Sequence, residues 1–233
     1  MIWKNRPNGL TWSGAIKNEA AKREAAAQLA ANLVDGQTIG IGSGSTSFVT
    51  LQALAARAEK EDLSFTAIPT SVEVALACAS LGLRTASLVE AKPDWSFDGA
   101  DEVDARKRLI KGRGGALYQE KLMMEASPRS YIVVDESKRV ERLGQNFPAP
   151  VEIDPDALSL MYEKLEGFPG LTEVTLRTGG GKDGPVITER GNLILDLRFD
   201  EIADDTHARL KAMAGVVETG LFFGYDFHLV IAG

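Results

Sequence analysis

The sequence predicts an α/β protein: a parallel sheet flanked by helices, joined to a smaller unit of mixed α and β character. Short apolar strands alternate with helix-period segments up to about residue 135. A glycine- and serine-rich turn separates the first strand from the helix after it, and the character changes near Phe147-Pro148-Ala149-Pro150. Alternation of this kind builds parallel β-α units, in which ligands lie at the carboxyl ends of the strands.

Residues 1–18 have no periodicity and are expected to form an irregular extension. From Glu19 onward Ala26, Leu29, Ala30 and Leu33 recur at three- and four-residue spacing, a helix that Asp35-Gly36 closes. Thr38-Ile39-Gly40-Ile41 reads as a buried strand, and Gly42-Ser43-Gly44-Ser45-Thr46 as the loop into a second helix with Phe48, Leu51, Leu54 and Ala55 on one face. Residues 65–68 then read as a strand, 72–81 as a helix, and 84–89 and 95–97 as further strands. An apolar strand over 131–134 ends at Asp135.

Beyond residue 150 the spacing predicts helices at about 156–166 and 204–213. Strands are expected at 173–177, 186–188 and 193–197, joined by glycine-rich turns. Residues 228–233 read as one more buried strand, expected to return to the first sheet. The expected division is therefore a main α/β domain of 1–147 and 219–233, with 148–218 inserted as a small α+β domain.

Composition narrows the function. The 233 residues carry 26 Lys+Arg against 33 Asp+Glu, a formal charge of −7, with 44% hydrophobic and 25% charged residues. That is ordinary for a globular chain and excludes disorder as the main state. A pI near 5.0 without a Lys/Arg stripe argues against a nucleic-acid partner, but leaves small anions open. No apolar run approaches the ~20 residues of a membrane span and no signal-peptide core is visible, so a cytoplasmic protein without a membrane partner is expected. Cys78, the only cysteine, lies in an apolar helical stretch and reads as core rather than nucleophile.

Four stretches could carry chemistry. In Gly42-Ser43-Gly44-Ser45-Thr46 the glycines let backbone N–H groups approach an anion at a helix N-terminus, and the hydroxyls add donors. The spacing fits neither a dinucleotide fingerprint nor a nucleoside-triphosphate loop; it leaves a capped turn or a monophosphate cradle. Asp98-Gly99-Ala100-Asp101-Glu102-Val103-Asp104 concentrates four carboxylates after a strand. It reads as a solvated turn or a ligand-contacting one, and Lys107, Arg108 and Lys111 nearby argue against a dedicated metal cage. Lys111-Gly112-Arg113-Gly114 opens a helix on which Glu120 falls one turn beyond Leu117. A carboxylate held partly out of water can act as a general base; the alternative is an exposed glutamate paired with a lysine. Lys138, after the strand ending at Asp135, is open between ligand contact and solvent.

In this order the motifs closely resemble the ribose-5-phosphate isomerase A family. Asp135-Glu136-Ser137-Lys138, Pro148-Ala149-Pro150-Val151-Glu152, Thr188-Glu189-Arg190-Gly191-Asn192 with Leu195-Asp196, and 215–222 carry the likeness on, from about residue 19 to 233. The resemblance implies a Rossmann-like parallel sheet with an inserted ferredoxin-like domain. It implies an aldose–ketose isomerase that moves a proton between C2 and C1 of ribose 5-phosphate through an enediolate, with no metal or organic cofactor.

Residue by residue, the resemblance makes Glu120 the proton acceptor and Lys111 the cation beside the reacting oxygens. Asp98 and Asp101 become the carboxylates that contact sugar hydroxyls and assist ring opening. Ser43, Gly44, Ser45 and Thr46 with Lys22 hold the phosphate, and Gly99, Ala100, Gly112, Arg113, Gly114 and Lys138 complete the substrate contacts. The family suggests homodimers or homotetramers. Two departures stand out: Ser43 replaces a usual threonine, and Arg113 stands where glycine is usual. If that position needs φ > 0, arginine costs on the order of 1 kcal/mol; we expect instead that its side chain points to solvent. A sugar-phosphate-binding regulatory module is the competing reading, and a sugar-phosphate deaminase or coenzyme A transferase a weaker one.

Overall fold

The computed structural model describes residues 16–181 and 183–232. The expected extension over 1–18 therefore lies, up to residue 15, outside the described residues. In chain order the first elements are α1 (Glu19–Ala30), β1 (Gln37–Ile41), α2 (Ser45–Glu61), β2 (Phe65–Pro69), α3 (Val72–Ser80), β3 (Arg84–Thr85), β4 (Trp95–Asp98), β5 (Glu102–Val103), β6 (Leu109–Ile110), α4 (Leu117–Ala126) and β7 (Ser130–Asp135). There follow β8 (Ala149–Ile153), α5 (Leu158–Leu165), β9 (Leu171–Leu176), β10 (Leu193–Phe199), α6 (Thr206–Lys211), β11 (Val216–Thr219), β12 (Leu221–Phe222) and β13 (His228–Ala232).

Contacts divide the chain into two compact units. One holds residues through Gly99, Leu122–Glu136 and those from Asp226; the other holds Ala100–Lys121 and Ser137–Tyr225. Relative to the boundaries expected from sequence, residues 100–121, 137–147 and 219–225 fall with the second unit.

The first unit is built on a six-stranded sheet in the order β13-β7-β4-β1-β2-β3, every pair parallel. This is the Rossmann-like doubly wound order, with its switch point between β1 and β4. Ile39 and Ile41 of β1 are fully buried, with Leu29 and Leu33 from the α1 region and Leu51 and Leu54 from α2 in the same core. Gly40 is a packing requirement: a Cβ there would lie 2.3 Å from the Met123 sulfur and 2.8 Å from Ser96 Cβ. Ser71 caps α3 by accepting from the Val74 N–H (3.3 Å). Cys78 is fully buried in this core and burial pushes its thiol up to about 12, so it is packing material. The expected strand at 84–89 stops at Thr85, because the Ser87 N–H and hydroxyl both bond Glu90 (2.8 Å each) and a local turn replaces sheet pairing.

The second unit contains a four-stranded antiparallel sheet in the order β11-β8-β10-β9. With α5 after β8 and α6 after β10, the sequence β-α-β-β-α-β gives the ferredoxin-like arrangement. Ala149, Val151 and Ile153 of β8 and Leu193, Leu195 and Leu197 of β10 meet Met161, Leu165 and Leu210 in its core. No strand forms at 186–188: Thr188 closes a turn on Asn192, and an isolated bridge joins Thr178 to Pro185 just before it. A three-stranded sheet, β12-β6-β5, belongs to the same unit. As expected, the strand at 228–232 returns to the first sheet, where β13 pairs with β7.

Candidate active site

In the first unit the predicted anion loop sits at the switch point. The Gly42 N–H donates to Phe97 O (2.8 Å), tying the loop to β4. A Cβ at Gly42 would lie 2.1–2.5 Å from the Asp98 side chain, so only glycine admits that carboxylate beside the loop. Gly44 has φ +91° and turns the chain into α2, whose first turn carries Ser45, Thr46 and no acidic residue. The first N–H groups of a helix have no intrahelical acceptor and sit at its positive end, which suits an anion.

Lys22 reaches this loop from α1. It is 5% exposed, donates from Nζ to Ser45 Oγ (3.3 Å) and lies 3.9 Å from Asp135 Oδ2. Asp98 Oδ1 accepts from Ser47 Oγ (3.4 Å) and from the Gly99 N–H (2.7 Å). Lys22, Ser43, Gly44, Ser45, Thr46, Asp98 and Gly99 are thus buried or half-buried parts of one unit.

The remaining predicted residues, Ala100, Asp101, Lys111, Gly112, Arg113, Gly114, Glu120 and Lys138, belong to the second unit. Lys111 follows β6 and is fixed by its N–H to Gly220 O (2.9 Å). Its Nζ lies 3.3 Å from Glu120 Oε2, the side chains being 3% and 5% exposed. Glu120 stands on the first turn of α4, with its own N–H on Ala116 O (2.9 Å). The turn between them bends at Gly112 (φ +99°) and Gly115 (φ +87°), while Arg113 is not among the residues with positive φ. Arginine at 113 therefore carries no left-handed strain; its exposed guanidinium lies 5.9 Å from the Phe147 ring centroid.

Asp101 Oδ2 accepts from the Arg113 N–H (3.2 Å). Burial pushes the Asp101 carboxyl up; Lys111, Lys138 and the Arg113 N–H pull it down and Glu120 pushes it further up, with a net rise. Asp101, Lys111, Glu120 and Lys138 thus share one electrostatic neighbourhood. Lys138 also lies 4.6 Å from the Phe147 ring centroid.

Sequence reasoning gave no role to three neighbours, Lys121, Glu218 and Phe222. Lys121 is buried and its Nζ bonds Glu218 Oε1 (2.9 Å), Thr219 O (2.8 Å) and Leu221 O (2.9 Å). Burial would raise the Glu218 carboxyl, yet Lys121, the Thr219 N–H and then Lys211 bring it below the usual range. Phe222 presents its ring to Lys111 (5.6 Å) and Lys121 (4.6 Å). Neither partnership has a local signal, since 218–222 lies far along the chain.

The carboxylate run sorts into different tasks. Glu102 is fully buried and accepts the N–H groups of Gly144 (2.6 Å), Asn146 (2.6 Å) and Phe147 (2.8 Å). Asp104 accepts from the Arg106 and Arg108 N–H groups (2.9 Å each) and from Arg108 Nε (2.7 Å). These two pin loops, whereas Asp98 and Asp101 lie beside the predicted substrate groups. Glu102→Ala leaves three donors without their charged acceptor, at about 1 kcal/mol or more apiece. Denaturant unfolding should read a loss of about 3 kcal/mol, and a loss below about 1 kcal/mol would refute the loop-pinning role.

With this geometry in hand, the chain can be set beside known proteins. Residues 66–233 match the family described as Ribose 5-phosphate isomerase A (phosphoriboisomerase A). A ribose-5-phosphate isomerase A from Archaeoglobus fulgidus is 42% identical over 213 residues, covering 89% of this chain and 93% of the relative. One from Methanothermobacter thermautotrophicus is 41% identical, covering 91% and 93%. Among solved structures, ribose 5-phosphate isomerase A from Methanocaldococcus jannaschii superposes with a TM-score of 0.88 at 36% identity, over 93% of this chain and 96% of that one. A D-ribose-5-phosphate isomerase in complex with phospho-erythronic acid superposes at 0.87 and 35% identity, with the same coverage.

Proposed function

The chain belongs to the ribose 5-phosphate isomerase A family, and on that premise we propose how its own residues interconvert D-ribose 5-phosphate and D-ribulose 5-phosphate. It is an aldose–ketose isomerase. The loop Ser43-Gly44-Ser45-Thr46 and the Lys22 ammonium grip the phosphate, whose binding energy orients the distant reacting carbons. Asp98 and Asp101 bind sugar hydroxyls. Asp101, held protonated to higher pH than a solvated aspartate, passes a proton to the ring oxygen as the C1 hydroxyl gives its own to a solvent water and the ring opens.

In the open chain Glu120 removes the proton from C2. The electron pair moves into the C1–C2 bond as negative charge grows on O1, and Lys111 faces that charge. The O2 proton passes to O1, the O2 electron pair closes the C2 carbonyl as Glu120 returns its proton to C1, and the ketose results. Gly99, Ala100, Gly112, Arg113, Gly114 and Lys138 supply the remaining substrate contacts.

The observation that carries the reading is the buried Lys111–Glu120 pair at 3.3 Å on the opening turn of α4. A base and a cation held out of water at that separation suit proton abstraction beside a carbonyl. Phospho-erythronic acid, found with one relative, likewise combines a phosphate with a second anionic group. We expect the protein to act in the cytoplasm, as a homo-oligomer, on freely diffusing sugar phosphate. Among the described residues no helix is long and apolar enough to cross a membrane.

The deciding assay follows ketose formation from ribose 5-phosphate with purified protein, no added cofactor and an excess of chelator. Sustained turnover is expected. Binding without turnover would reduce the chain to a sugar-phosphate-binding module, and activity lost to the chelator would overturn the metal-independent route.

A further inference from the structure

We propose that Arg177, oriented by Asp196, is a positioning residue of this reaction: it sets the Gly112–Arg113 peptide so that its N–H is presented to Asp101. The proposal deepens the isomerase reading and rests on it. Arg177 immediately follows β9, and Asp196 lies on the neighbouring β10. Its Nε donates to Asp196 Oδ2 (2.7 Å), and Nη2 pairs with Oδ1 in a two-pronged contact. Both side chains are largely buried, at 14% and 18% exposure. The Arg177 backbone is held as well, its N–H on Ile194 O and its carbonyl on the Val186 N–H (2.9 Å each).

That leaves Nη1, which donates to Gly112 O (2.9 Å) and Arg113 O (2.8 Å). The Gly112 carbonyl and the Arg113 N–H are opposite ends of one planar trans peptide. Holding the carbonyl therefore aims the N–H, which meets Asp101 Oδ2 at 3.2 Å. The guanidinium charge also polarises the peptide and strengthens its N–H as a donor. A clamp is needed because the hinge is glycine at φ +99°, with no side chain of its own to fix it. Lysine cannot replace the fork, since an ammonium cannot span both carboxylate oxygens and two carbonyls in this plane.

Asp101 faces Lys111, Lys138 and Glu120 besides this N–H. The N–H works against burial and lowers the proton affinity of the carboxyl. Asp101 works in its protonated form, so losing the aim of that N–H lets its proton affinity rise and moves the alkaline limb of activity to higher pH.

The test is steady-state kinetics on ribose 5-phosphate across pH for Arg177→Lys and Asp196→Asn, with unfolding curves recorded alongside. We expect kcat to fall by about 10–10²-fold, the cost of a misplaced group, with KM changing little and the alkaline limb of the kcat/KM profile shifted to higher pH. A fall in kcat with the limb in place would reduce Arg177 to a structural brace and overturn the proposal. Unchanged kcat would overturn it too. Should Arg177→Lys fail to fold, Asp196→Asn decides by the same two readouts. A wild-type chain that forms no ketose would refute the isomerase reading instead.

Discussion

Glu120→Gln should fold, bind the sugar phosphate and lose turnover by about 10²–10⁴-fold, the worth of a positioned base. Glutamine keeps the shape of the side chain but cannot take a proton. The exchange removes the counter-charge that lies 3.3 Å from Lys111, yet Asp101 lies within its electrostatic reach and the Phe222 ring centroid at 5.6 Å. The fold therefore has compensation on the cation's side. Equilibrium binding of the sugar phosphate, measured beside single-turnover kinetics, separates the two effects. Turnover within tenfold of wild type would remove Glu120 from the base role.

Lys111→Met should have a double penalty. Chemically it removes the cation facing the developing oxyanion, at about 10²–10³-fold in kcat. Structurally it strips the partner at 3.3 Å from a carboxylate that is 5% exposed. Breaking one half of a buried ion pair costs about 3–5 kcal/mol, because the remaining charge must stay desolvated or pick up a proton. Adding Glu120→Gln to Lys111→Met should restore part of that stability without restoring turnover. Chemical denaturation of the single and double variants checks this, and a single variant as stable as wild type would sink the argument.

How much of this was legible in the sequence follows physical lines. The parallel sheet of the first unit was readable because its strands are short apolar runs bounded by turn residues and its helices have clear three- and four-residue spacing. The anion loop was readable because glycines and hydroxyls sit together where a strand meets a helix. Strand β8 was not: all five residues are buried, so no alternation marks it, and prolines at 148 and 150 argue against a strand. The two-residue strands β5, β6 and β12 are too short for any period.

Within the carboxylate run, spacing could not separate Asp98 and Asp101 from Glu102 and Asp104. The partners that divide them, Gly144, Asn146 and Phe147 for Glu102 and the Ser47 hydroxyl for Asp98, come from distant segments. The Arg113 question turned on one dihedral angle. Counting glycines shows that a loop needs positive φ somewhere; only coordinates assign it to Gly112 and Gly115.

The pairing of β13 with β7 has a consequence for biosynthesis. Ala232 lies opposite Asp135, the residue beside Lys22. On the ribosome, Ser130–Asp135 emerges long before β13, which is translated only after all of Ser137–Tyr225. Until then a nascent chain carries an open row of backbone donors and acceptors, the kind of edge that invites wrong partners. Closing it across so long an intervening stretch carries the loop-closure penalty that slows folding of non-local topologies.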